Sequence, residues 1–233
     1  MTTATEPDRA SPGDERPTSV ARWGRTLAAA LSLFVAVQLF GKFSLLSGVK
    51  VVDEAVFEFL VTGLQAIPGL TSVSERLTDI GAVSVNYGMA MALAFFVGLQ
   101  RRSVLLPSLI AVTFLCGHAL QYLTNRIVAG TVPTEHVIGA AGSYFSGGVM
   151  RVVLLAGMAA TLALPRHRDA LVWKLAIVLG LVEAITRLAL GRHWPIDLFA
   201  SFPIGLGIVW IFRQLALPLL ERDRTQAIRS DGD

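Results

Sequence analysis

The feature that most constrains this chain is the alternation of apolar stretches of about 20 residues with short clusters of arginine. A stretch of that length in lipid has to satisfy its own backbone, and a helix does so within one segment. Six stretches qualify: Thr26 to Leu46, Ile80 to Leu99, Val104 to Leu123, Gly147 to Leu164, Leu171 to Leu190 and Ile196 to Leu215. They predict an all-α, polytopic membrane protein built as a six-transmembrane-helix bundle. Charged residues make up only 16% of the chain, against about 25% in soluble domains. Six spans and their loops use up most of the 233 residues, so one membrane domain is expected over 22–220. Tails at 1–21 and 221–233 flank it.

The segment between the first two spans differs. Val52, Val56, Phe57, Leu60, Val61 and Leu64 recur at helical spacing, with Asp53, Glu54 and Glu58 among them, until Pro68 and Gly69 break the pattern. This reads as a short amphipathic helix in the membrane interface. The polar first twenty residues read as a disordered tail. The first apolar run has no small-residue cleavage site after it, so it stays as a membrane helix rather than a signal peptide. Cys116, the single cysteine, sits in an apolar run and reads as a small core residue.

Basic residues set the expected orientation. Arg22 and Arg25 precede the first span, Arg101 and Arg102 follow the second, Arg166, Arg168 and Lys174 lie between the fourth and fifth, and Arg213, Arg222 and Arg224 end the sixth. Six spans put all four clusters on one side, which the positive-inside rule makes cytoplasmic. A bacterial-type plasma membrane, cytoplasmic termini and outward-facing loops follow. The formal charge of +3 belongs to these loops and gives no reason to expect a nucleic-acid partner.

At the opposite ends of the third to sixth spans, polar residues gather. Intramembrane charges are costly and mark sites by default. The sharpest run is Thr186 to Asp197. His193 and Asp197 are four apart, so at a helix start the carboxylate can hold one imidazole nitrogen and leave the other as nucleophile or base. Pro195 suits a first helical turn. Arg187 can grip a phosphate with its fork of donors, and Glu183, four residues earlier, can pair with it. A second run, Ser146-Gly147-Gly148, offers an N-cap and bare backbone N–H groups, the makings of an anion site. His118 reads as an interhelical polar group, His167 as a loop residue and Trp194 as an interface anchor. No His/Cys/carboxylate cluster has metal-ligand spacing, so neither metal nor cofactor is expected.

The order of these runs resembles the type-2 phosphatidic acid phosphatase superfamily of membrane lipid phosphatases, whose motifs are K-x6-R-P, P-S-G-H and S-R-x5-H-x3-D. The third matches as Thr186-Arg187, His193 and Asp197, with Thr for Ser. The second keeps Ser146-Gly147 but has Phe145 for Pro and Gly148 for His. The first is weakest, with Gln121 at the lysine, Arg126 at an arginine often found within the motif and Val128 at the arginine before the proline. The resemblance, from about Asp53 to Leu215, implies His193 as the nucleophile that forms a phosphohistidine and Asp197 as its orienting carboxylate. It implies that Arg187, Arg126, Ser146, Gly147 and Gln121 hold phosphate. Gly148 then leaves leaving-group protonation to His136, or to a diphosphate substrate that needs less of it, and Arg151 can replace the missing positive charge. On that basis His placed at 148 is expected to raise monophosphate hydrolysis. The function implied is dephosphorylation of a lipid phosphate or diphosphate, polyprenyl or phosphatidate-like, at the outer face. The alternative is a non-catalytic relative that binds phospholipid head groups or scaffolds a cell-envelope complex.

Overall fold

The computed structural model describes residues 19–101, 103–128 and 144–230. Eight α-helices order them: α1 (Ser19–Ser44), α2 (Ser47–Gln65), α3 (Leu70–Leu77), α4 (Val83–Arg101), α5 (Leu105–Val128), α6 (Gly147–Ala163), α7 (Asp169–Ala189) and α8 (Pro195–Ser230). Short 3₁₀ turns occupy Thr78–Gly81 and Arg166–Arg168. No strand occurs among the described residues. Each of the six expected stretches lies largely within one helix: α1, α4, α5, α6, α7 and α8.

Helix α6 is the axis of the bundle. Thirteen of its 17 residues are buried. Met150, Leu154 and Met158 pack with Leu106, Ile110 and Phe114 of α5 and with Ile204, Ile208 and Phe212 of α8. Val149 and Val153 pack with Ala176, Ala184 and Leu188 of α7 and Leu198 of α8. Small residues let these helices approach closely, as membrane helices must when lipid supplies no hydrophobic drive between them. A Cβ at Gly205 would lie 2.8 Å from Val153 Cγ1 and 3.2 Å from the Met150 carbonyl.

The outer helices show the opposite pattern. In α4 only Asn86, Ala90 and Val97 are buried, a single stripe, while Met91, Phe95, Phe96 and Leu99 face outward. Leu175, Val178, Leu179 and Val182 do the same on α7. Such faces suit lipid rather than water. Among the described residues four helical segments are long and apolar enough to cross a membrane, Trp23–Ser44, Val83–Arg101, Leu105–Val128 and Pro195–Arg222, and a bent pair, Ser47–Gln65 with Leu70–Gly81, would make a fifth. The protein is accordingly a multi-pass membrane protein.

The region after α1 departs from expectation. It is not one short amphipathic helix but a 19-residue helix, α2, followed by α3 and a 3₁₀ turn, the two arms bent by 106°. The breaker is the one the sequence marks, since Gly69 takes φ 78°, a value glycine adopts without steric cost. Helix α8 likewise runs beyond the expected Leu215 to Ser230, through Pro218 and into the segment expected to be a tail.

The two ends of α6 are chemically distinct. At its C-terminal end Arg213 pairs with Asp169 at 2.6 Å, donates to Thr161 and lies over Trp173. Arg166 pairs with Glu221. Arg101 lines a small cavity of about 60 Å³ together with Arg166 and Glu221. Members of three separate arginine clusters thus share one end of the bundle.

Candidate active site

The other end is organised by the turn between α7 and α8. The Gly191 N–H donates to Leu188 O at 2.9 Å and the Arg192 N–H donates to Arg187 O at 2.9 Å. These are the two bonds of a Schellman cap, and Gly191 takes the left-handed conformation it needs, φ 62°. The cap explains the five-residue gap of the third motif. Arg187 is in the last turn of α7, the chain reverses at Gly191, and His193 follows just before α8 starts at Pro195. Asp197 lies in the first turn of α8. His193 Nδ1 is 3.9 Å from Asp197 Oδ2, and both residues are buried. That separation is about 1 Å longer than a hydrogen bond. Catalytic contacts are often long in an empty site and tighten with substrate.

Three contacts from α2 hold this turn. The Ile196 N–H donates to Asp53 Oδ1 of α2 at 3.0 Å, so a carboxylate from a distant helix caps α8. The Phe57 ring packs on Trp194 with centroids 4.8 Å apart. Gln65 Nε2 donates to Ala189 O at the end of α7. Burial pushes the Asp53 carboxyl up to about 6 against the pull of the Ile196 N–H, and the nearby Asp197 adds to the rise. The role of Asp53 escaped the sequence reading. Its signal was present: Asp53, Phe57, Leu60 and Leu64 fall on one helical face, so this acid stands in line with the apolar stripe instead of opposite it.

Ser146 is fully buried and caps α6, accepting from the Val149 N–H. Its own N–H donates to Asp197 O at 3.3 Å, and its carbonyl accepts from Ser201 Oγ. Ser146 therefore ties the start of α6 to the start of α8. Phe145, just before it, has φ 44°. Proline is locked near −65°, so this backbone cannot carry the proline of the P-S-G-H pattern.

Beside these helix starts lies a buried polar group. Arg187 Nε donates to Glu183 Oε1 at 2.6 Å, and its Nη2 donates to Thr78 O at 3.2 Å. Arg151 Nη1 donates to Gln121 Oε1 at 2.6 Å, and its Nη2 donates to Gly81 O at 3.1 Å. Glycines make room for them. The Gln121 amide lies so close to Gly147 that no Cβ would fit, and a Cβ on Gly148 would be 2.8 Å from Arg187 Nη2 and 2.9 Å from Glu183 Oε1. The space beside position 148, where the resemblance puts a histidine, is filled by the Arg187–Glu183 pair.

The structure thus gathers Arg187, Glu183, Gly148, Gly147, Gln121 and Arg151 in one cluster, and His193, Asp197 and Ser146 in an adjoining one. Arg126 is exposed on the last turn of α5, donating to Tyr122 Oη at 2.7 Å over the Tyr122 ring. None of its described contacts is to either cluster. His136 lies outside the described residues. Among the described residues no group of His, Cys, Asp and Glu could hold a metal ion.

A family profile, that of the PAP2 superfamily, matches residues 130–219. The match spans 90 of the 233 residues. It contains the α6 start, the Arg187 pair and the His193 turn, so the resemblance read from the third motif and the match fall on the same residues. The fold is similar to the crystal structure of a transmembrane PAP2-type phosphatidylglycerolphosphate phosphatase from Bacillus subtilis. The TM-score is 0.67 at 20% identity, over 81% of this chain and 96% of that one. No curated protein matches the chain.

Proposed function

We propose that the protein dephosphorylates a lipid phosphate or diphosphate, using His193 as nucleophile. The carrying observation is the capped turn that fixes Arg187 on one side of Gly191 and His193, facing Asp197, on the other. The PAP2 segment and the PAP2 phosphatase fold support lipid phosphatase activity. An apolar cavity of about 530 Å³ between α4, α6 and α7, with Glu183 in its wall, suits a hydrocarbon chain beside the polar cluster.

In this reading Asp197 accepts from His193 Nδ1–H, leaving the Nε2 lone pair to attack phosphorus. The P–O bond to the lipid breaks, and the leaving oxygen takes its electron pair. Water then attacks the phosphohistidine, releasing phosphate and restoring His193. Arg187 and the Gly147 and Gly148 N–H groups stabilise the equatorial oxygens, with Ser146, Gln121 and Arg126 completing the binding set. No described acid faces the leaving oxygen, which favours a diphosphate, whose departing group carries its charge unaided.

We read α6 and α7 as the two further spans, making six, with the site outward and the arginine-rich end cytoplasmic. The bent α2–α3 pair lies in the outer interface.

Phosphate release from polyprenyl diphosphate and phosphatidate, measured with purified protein and no added metal, tests the proposal. Wild type turns over the diphosphate faster. His193→Ala abolishes turnover with folding intact, and Asp197→Asn lowers kcat by about 10²-fold. A His193→Ala protein that keeps most of its activity would rule out the phosphohistidine route.

A further inference from the structure

We infer that Arg151 is a phosphate-binding group, a buried guanidinium that Gln121 presents to a phosphoryl dianion. The inference rests on reading this end of the bundle as a phosphate site.

Arg151 sits one turn into α6 and is 4% exposed. Its two described acceptors, Gln121 Oε1 and Gly81 O, are neutral. Its Nε–H has no acceptor among the described residues. The carboxylate of this cluster, Glu183, is taken by Arg187. Gly81 joins the two arginines, because its carbonyl accepts from Arg151 while its Cα packs against Glu183 and Arg187 too closely for a Cβ. Two guanidiniums therefore share one carboxylate. A buried cation without a counter-charge is strongly disfavoured, and a charge inside a membrane bundle pairs or serves a ligand. Among the described residues the cluster lacks one anion.

The surroundings say which anion. The first-turn N–H groups of Gly147 and Gly148 precede the first backbone bond of α6, which Met150 makes to Ser146 O. A helix start of this kind favours an oxyanion. The guanidinium fork adds parallel donors that match phosphate oxygens. Gln121 sets the direction: its carbonyl faces Arg151 and its amide lies on Gly147. Lysine at 121 would instead put an ammonium against the guanidinium. Gln121 and Arg151 are a matched pair that places on α6 the cation the resemblance would put on α5.

The test uses full-length protein in nanodiscs of neutral lipid. Inorganic phosphate binding is measured by calorimetry, and phosphatidate added to the disc serves as a competitor. Arg151→Gln should weaken phosphate binding by about tenfold or more, and Arg151→Lys by less. Gln121→Lys alone should also weaken it. The double variant Gln121→Lys/Arg151→Gln should return to within about threefold of wild type. That recovery is a result a merely structural role would not give. Competition by phosphatidate assigns the site to a lipid head group; binding without competition assigns it to free phosphate. Arg151→Gln binding phosphate as wild type does, or a folded double variant that does not recover, overturns the inference. If Arg151→Gln fails to fold, the double variant decides. Hydrolysis measured in parallel separates the two claims. Arg151-dependent binding without turnover defeats the phosphatase reading alone, and turnover and binding indifferent to Arg151 defeat this inference alone.

Discussion

Gly148 shows how far a motif can mislead at the scale of one residue. Aligned against P-S-G-H, it looks like a vacancy where a general acid belongs. In the fold the place is occupied, with Arg187 Nη2 and Glu183 Oε1 both within 3.0 Å of where a Cβ would stand. Gly148→His is therefore predicted to push that ion pair apart, lowering the unfolding midpoint and raising KM about tenfold without a gain in monophosphate kcat. Steady-state kinetics beside thermal unfolding checks this. A faster monophosphate reaction would mean that the pair yields and an acid can be installed. Arg187, His193 and Asp197 were legible in sequence because a single turn and two helix ends fix their spacing. The Arg151–Gln121 pairing was not, since its partners are 30 residues apart and meet only through packing of α5 on α6.

Among elements, the Gly191 turn is the most sensitive. No atom blocks a Cβ there more closely than Phe57 Cζ at 3.7 Å, but φ is 62°. Gly191→Ala should thus cost about 1–2 kcal/mol through backbone strain alone. It should also lower kcat by moving His193 relative to Arg187, measurable as a lower unfolding midpoint together with slower turnover. Helix α2 supports the same turn through Asp53, whose folded pKa of about 6 lies above the ordinary 3.8. The folded state therefore holds the proton more tightly, and this group's contribution to stability falls as pH rises from 3.8 to about 6. Relative to wild type, Asp53→Asn should fare better at pH 7 than at pH 4.5 in thermal unfolding. An offset that does not change with pH would remove Asp53 as the source. Helix existence was readable from apolar length. The bent α2–α3 pair was not, because its length is set by docking onto α7 and α8 and not by the amphipathic stripe alone.

For the molecule as a whole, the separation of the Arg101, Arg166 and Arg213 end from the His193 end makes orientation testable. In a Cys116→Ala background, Ser47→Cys should react with a membrane-impermeant thiol reagent in intact cells. His167→Cys should react only after lysis. The reverse pattern would invert the topology and put the site inside. The six apolar stretches were legible as helices, and the arginine clusters between them as one shared end of the bundle. The central position of α6 was not visible there, because a helix apolar on nearly every face carries little periodicity to show which faces are buried.

The left-handed backbone at Phe145 bears on how this sequence can change. Phe145→Pro alone asks a ring locked near −65° to sit at φ 44°. Gly148→His alone meets the Arg187–Glu183 pair. Gln121→Lys alone meets Arg151. Each of these three steps toward K-x6-R-P and P-S-G-H meets backbone or side chains already in place, though the end point is a pattern that a whole superfamily uses. Concerted replacement at these positions is therefore expected to be tolerated better than any one of them alone, which thermal unfolding of the single and combined variants checks.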